Sequence, residues 1–259
     1  MKVTISDVAR LAGVSTATVS HTINNTRYVS GETKEKVYQA IAELGYTPDA
    51  SARSFRTGKK KTVGFIVPDI SNKFFATMIE AVEHQLSARG YHLIIANTKE
   101  NMEREENTIR LLTAGLVDGL LIASTIDDFA RFDSLIPAGF PVVLVDRTFE
   151  EKKYSSICVS NFQPIYRSVC RLAGKGVRRV GIIGGLPRLS TTKERIFAYQ
   201  QAVADCGLEQ EEGLIQYGDS MENSARVCLE TLLERKCDAL IVCQGLMSLE
   251  TISYLNLKN

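Results

Sequence analysis

The sequence contains no tryptophan, only six prolines and three histidines, and no apolar run of the roughly 18 residues a membrane helix needs. The low proline count excludes a proline-rich or low-complexity chain. With 44% hydrophobic and 24% charged residues, the composition is that of a folded chain rather than a disordered one. Met1 to Asp7 carry no apolar stretch, so no signal peptide is expected and the localisation read from the sequence is cytoplasmic. None of the six cysteines forms C-x-x-C, and most sit in apolar runs. They read as buried reduced thiols rather than metal ligands or disulfides. His21, His84 and His92 do not cluster, and there is no nucleophile elbow or paired-carboxylate constellation. There is also no G-x-G-x-x-G fingerprint or P-loop, so neither an enzyme, a metal site nor a nucleotide cofactor is expected.

What is present is unevenly distributed. The net charge of +1 conceals ten Lys and Arg against five Asp and Glu within residues 1–61. A basic head on a mildly acidic body is the split expected when one end meets a polyanion. The length, 259 residues, fits two domains or one plus a small module. Residues 1–46 read as three short helices, and 48–62 (P-D-A-S-A-R-S-F-R-T-G-K-K-K-T) as a polar, basic linker. From Val63 short apolar runs alternate with helical stretches, the pattern of a parallel α/β sheet. Strands are predicted at 63–67, 92–97, 119–123 and 142–146, with helices at about 75–89 and 101–114 between them. A fifth run, 156–160, could cross into a second set at 179–183, 214–217 and 239–243, separated by helices around 162–174, 193–206 and 222–235.

In the head, Thr4 and Asp7 are spaced as a capping box, with Asp in place of the usual Glu. The first helix breaks at Gly13, and Ser15 caps a second, Thr16 to about Asn24, whose inner face holds Val19 and Ile23. This is the helix-turn-helix layout. The outer face of the second helix reads as Thr16, Ala17, Thr18, Ser20, His21 and Thr22. Short, hydroxylic, nearly uncharged side chains suit close approach to base edges and phosphates.

The run V-A-R-L-A-G-V-S-T-A-T-V-S-H-T-I-N-N-T-R-Y-V-S, Val8 to Ser30, resembles the head of the lactose-repressor (LacI-type) family of bacterial transcription regulators, its purine- and ribose-repressor branches most. E-K-V-Y-Q-A-I-A-E-L-G-Y-T-P and A-R-S-F are similar to that family's third helix and hinge. The resemblance covers 1–61 almost without gaps and continues more loosely through 63–247. It implies an all-α helix-turn-helix head at 1–47, a hinge helix and linker at 48–62, and an α/β core of two doubly wound, periplasmic-binding-protein-like subdomains at 63–259. It places Thr16, Ala17, Thr18, Ser20, His21 and Arg27 against the major groove and backbone. Arg53 and Phe55 fall in a hinge that enters the minor groove. Ala17 stands where near relatives have Thr, and keeps only a methyl for a thymine methyl. Phe55 replaces the usual Leu wedge.

For the core, the resemblance implies a ligand cleft outside the carboxyl ends of the strands. Phe74 and Phe75 match an aromatic wall, Asp146 and Arg147 the ending of a pocket strand, and Arg195 in T-T-K-E-R a clamp on ligand oxygens. Several positions depart from the family pattern: Lys73 for Pro, Ser160-Asn161 for Asp-Asn, Pro164 early in the next helix, Ser220 after Asp219, and Gln244-Gly245 for Asn-Asp. The sequence also stops before the family's last strands, so the second subdomain is expected to be incomplete and the ligand switch impaired.

The resulting expectation is a repressor that binds double-stranded DNA at a palindromic operator as a homodimer, without cofactor or membrane. Its core would sense a small sugar or nucleobase. The alternatives are a truncated regulator that binds DNA without ligand control, and a small-molecule binding protein that does not bind DNA.

Overall fold

A computed structural model of the chain describes residues 3–47, 58–219 and 224–258. Arg53, Phe55 and most of the expected hinge lie outside the described residues, as does Ser220. The chain divides into two compact units, residues 1–60 and 61–259.

The first unit holds three helices, α1 (Ile5–Ala12), α2 (Thr16–Asn24) and α3 (Gly31–Leu44). Local chemistry sets their limits. Asp7 N–H donates to Thr4 Oγ1 at 3.4 Å, and Thr4 N–H donates back to the Asp7 carboxylate at 3.0 Å, so the capping box closes. Gly13 ends α1 at φ 67°, a left-handed conformation that costs glycine nothing. Ser15 Oγ accepts from Thr18 N–H and starts α2. Val8, Ala9, Val19, Val37 and Ala40 form the core where the three helices cross. Replacing Thr4 with Ala is expected to cost the head about 1 kcal/mol, read as a lowered melting transition of this unit.

One face assignment is corrected. Thr22 is not on the outer face of α2 but only 2% exposed. It lies three residues from Val19, hence on the same side of the helix. Its hydroxyl donates to the Thr18 carbonyl at 2.9 Å, so the polar atom is satisfied where it is buried.

The second unit is α/β. Eight strands are described: β1 (Thr62–Val67), β2 (His92–Asn97), β3 (Gly119–Ile122), β4 (Val142–Val145), β5 (Ser155–Ile157), β6 (Val180–Gly184), β7 (Ile215–Tyr217) and β8 (Ala239–Val242). They make two parallel sheets, ordered β2-β1-β3-β4-β5 and β7-β6-β8. The helices are α4 (Lys73–Ser87), α5 (Met102–Thr113), α6 (Phe129–Ser134), α7 (Phe162–Ala173), α8 (Ser190–Asp205), α9 (Ser224–Glu234) and α10 (Gly245–Lys258). Separate apolar clusters lie on the two faces of each sheet, which is why the strands read as continuous Val, Ile and Leu runs. Gly64 in β1 permits one close contact of this kind: a Cβ there would stand 2.6 Å from Leu120.

The fifth run belongs to the first sheet. Val143 pairs with Ser155 and Val145 with Ile157, so β5 is an exposed edge strand and opens no second set. Pro164 leaves its helix intact: α7 starts at Phe162, and a proline in the first turn removes no hydrogen bond the helix could make. The sequence reading did not assign α6 or α10. In α10 the buried or half-buried Met247, Thr251, Tyr254 and Leu255 recur at helical spacing, a signal that was present in the sequence. Among the described residues, no helix is long and apolar enough to cross a membrane, and no group of three or more His, Cys, Asp or Glu could hold a metal ion.

Candidate functional sites

The head presents the start of α2. Thr16 and Ala17 are exposed, Thr18, Ser20 and His21 are half-buried, and Arg27 is exposed in the turn that follows. Several of these side chains are held locally. Thr18 Oγ1 lies 2.9 Å from Ser15 Oγ, and Ser20 accepts from Asn24 through its carbonyl at 2.8 Å. His21 Nδ1 lies 2.8 Å from Thr26 Oγ1, which orients the ring. Tyr28, beside Arg27, is 94% exposed and was not singled out from the sequence. Its signal was its place within T-R-Y-V, an aromatic in a polar turn.

In the second unit, the strand ends converge on a cavity of about 340 Å³. All five core residues singled out from the sequence line it: Phe74, Phe75, Asp146, Arg147 and Arg195. Asn72 caps α4, accepting from Phe74 N–H at 3.0 Å, and so fixes the two aromatics that follow. Phe75 is buried and Phe74 is open to the cavity, their rings 5.1 Å apart and edge to face. Val159 adds a further apolar surface.

The polar side is an interlocked charge cluster. Asp146 follows β4 at φ 64°, left-handed for a non-glycine residue. Burial pushes its carboxyl above the usual carboxylate range, against the pull of Arg147 and Arg195. Arg147 is buried. Its guanidinium donates to Glu100 Oε1 at 2.7 Å, and to the Ser124 carbonyl and Thr125 Oγ1 at 3.3 Å each. Glu100 Oε2 and Arg147 Nε are buried without a hydrogen-bond partner. Arg195, on α8, donates from Nε to Asn161 Oδ1 at 2.8 Å and from Nη1 to the Cys243 carbonyl at 3.1 Å. The neighbouring Glu194 accepts from the backbone N–H groups of Asn161 and Phe162, which ties the start of α7 to α8. At the other rim, burial would raise the Asp69 carboxyl, but hydrogen bonds from Lys99 and Ser71 hold it below its usual value.

Ser124 and Thr125, which follow β3, are absent from the cavity lining. Glu105, fully buried, accepts from Ser124 Oγ and from Thr125 N–H, and this pair in turn supports Arg147. Gly184 and Gly185 are likewise absent from the lining. Lys99, Glu100 and Thr191 line the cavity and were missed. Lys99 and Glu100 follow β2, so the strand-end rule that found Asp146 applies to them equally. The arrangement offers one aromatic wall and a ring of charged donors and acceptors, suited to a small, flat or hydroxylated polar molecule.

Residues 4–49 match the model of bacterial regulatory proteins of the lacI family, and residues 60–246 match that of periplasmic binding proteins and the sugar binding domain of the LacI family. The chain is 34% identical over 258 residues to the HTH-type transcriptional repressor PurR of Pasteurella multocida, covering 96% of this chain and 76% of that protein. It is 37% identical over 202 residues to the ribose operon repressor of Haemophilus influenzae, covering 78% of this chain and 60% of that one. Among solved structures, the lac repressor dimer bound to operator and the anti-inducer ONPF superposes with a TM-score of 0.85 at 21% identity, over 100% of this chain and 78% of that one. The transcriptional regulator CelR in complex with cellobiose superposes with a TM-score of 0.69 at 29% identity, over 99% of this chain and 79% of that one.

Proposed function

We propose, for a chain that belongs to the lacI family of bacterial regulatory proteins, that the head reads a palindromic operator as half of a homodimer and that the cleft binds a sugar or nucleobase. Membership makes the chain a DNA-binding transcriptional repressor with an effector-binding core, and not an enzyme. Its place of action is the cytoplasm, where the operator is.

The observation that carries the DNA reading is the start of α2. Its first two residues, Thr16 and Ala17, are exposed side by side on a helix that is itself buried along Val19 and Thr22. A recognition helix contacts base edges through its N-terminal residues. Ala17 offers a methyl to a thymine. His21, its Nδ1 engaged with Thr26, has Nε2 for a guanine acceptor. Thr18 and Ser20 stand beside the backbone, and Arg27 supplies a phosphate contact. The segment 48–62, with Arg53 and Phe55, serves as the minor-groove hinge.

Two half-sites multiply the few contacts one small module makes. The homodimer reading is supported by Ile94 and Ile95, exposed on β2 at the edge of the first sheet, a surface that a second copy would cover. In the cleft, Phe74 and Phe75 would pack on a ring face. Asp146 would accept from ligand hydroxyl or N–H groups, and Arg147 and Arg195 would donate to ligand oxygens. Effector and operator then bias one equilibrium, so each changes the affinity for the other by the same factor.

Selection of the chain on random duplexes tests the operator reading. A palindrome is expected, and no enriched symmetric site would overturn it. In the same selection, His21→Ala should relax preference at one position per half-site by about 1–3 kcal/mol and leave the others unchanged.

A further inference from the structure

Six cysteines are present, all as free thiols, and two of them meet. Cys170 lies in the last turn of α7, and Cys206 immediately follows α8. They are 36 residues apart in sequence, yet the Cys206 thiol donates to the Cys170 sulfur at 2.8 Å. A disulfide bond is about 2.05 Å long, so bonding needs only a sub-ångström approach. Among the described residues, no other pair of sulfurs is hydrogen-bonded. Both thiols are half-buried, open enough for an oxidant yet held by the packed helices.

We propose that Cys170 and Cys206 are an oxidation site, a dithiol that closes to an intramolecular disulfide with a disulfide oxidant such as glutathione disulfide. The hydrogen bond assigns the roles. Cys170, the acceptor, attacks one glutathione sulfur as the thiolate, and the second glutathione leaves as a thiolate that takes up a proton. Cys206 loses its proton and attacks the Cys170 sulfur of the mixed disulfide, expelling the first glutathione. The protein gives up two electrons and two protons, and two glutathione thiols result. The hydrogen bond with Cys170, and burial after it, push the Cys206 thiol up to about 11, consistent with its acting second.

The site is placed to matter for the cleft. At their other ends, α7 and α8 are joined by Glu194 on the N–H groups of Asn161 and Phe162, and by Arg195 on Asn161. The dithiol lies about 15 Å further along the same two helices, at a rise of 1.5 Å per residue. A bond there fixes at both ends the helix pair that carries Arg195.

The test uses the full chain and glutathione disulfide as the oxidant. After incubation and denaturation, thiol titration should fall from six to four, and the intact mass should drop by two hydrogens. Peptide mapping should recover Cys170 linked to Cys206, and the melting temperature of the core unit should rise by several degrees. Cys206→Ser should stop at a stable glutathione adduct on Cys170. Six remaining thiols, a bridge through any other cysteine, a cross-link between chains, or an adduct confined to Cys158 would each overturn the proposal.

Discussion

Arg147→Met lowers the stability of the core unit by about 3–5 kcal/mol, the expected cost of breaking a buried ion pair from one side. The guanidinium is the partner of Glu100 at 2.7 Å, with side-chain exposures of only 7% and 13%. Methionine keeps much of the volume and removes every donor. The Glu100 carboxylate is then left buried, and the Ser124 carbonyl and Thr125 hydroxyl lose the group that bridges them. Urea unfolding of the core unit measures the loss. Adding Glu100→Gln removes the stranded charge and should recover a substantial part of it, because the penalty lies in the unpaired ion more than in the missing bond. A single-variant loss under about 1 kcal/mol would show that water reaches the pair and screens it.

Val19→Asp abolishes operator binding while leaving the core unit's unfolding transition in place. Val19 is completely buried among Val8, Ala9, Val37 and Ala40, in a unit of about sixty residues whose apolar core is small. An aspartate there would be buried among apolar side chains, at a cost of several kcal/mol, comparable to the whole stability of so small a unit. Circular dichroism should lose the helical signal of the head alone, and a labelled operator duplex should remain unbound at concentrations that saturate the parent. The core has its own sheets and clusters, so its melting should not shift. Retained operator binding would separate α2 from DNA recognition altogether.

These two positions differ in how visible they were beforehand. Val19 was readable because helix period and caps are local: Ser15, Gly13 and the Val19–Ile23 spacing define α2 within ten residues of chain. Thr22 was misplaced because polarity was taken as a guide to its face, when the spacing from Val19 already turned it inward and its hydroxyl could be satisfied within the helix. In the core, Phe74, Phe75, Asp146, Arg147 and Arg195 were found as a set through the family resemblance and the strand-end rule. What escaped was their wiring. The V-D-R ending of β4 does not reveal that Arg147 turns inward onto Glu100, 47 residues earlier.

The amino-acid sequence by itself determined the helix-turn-helix head, the alternation of strand and helix, the parallel character of the core and the basic character of the DNA-facing end. Each of these depends on caps, periods or charge within a short stretch of chain, where the physics is nearest-neighbour. Tertiary structure alone decided that β5 joins the first sheet, that Glu105 holds Thr125, and that Cys170 faces Cys206. Those pairings join residues 12 to 36 positions apart. Chain connectivity leaves such distances free, and only the packing of the helices onto the two sheets fixes them.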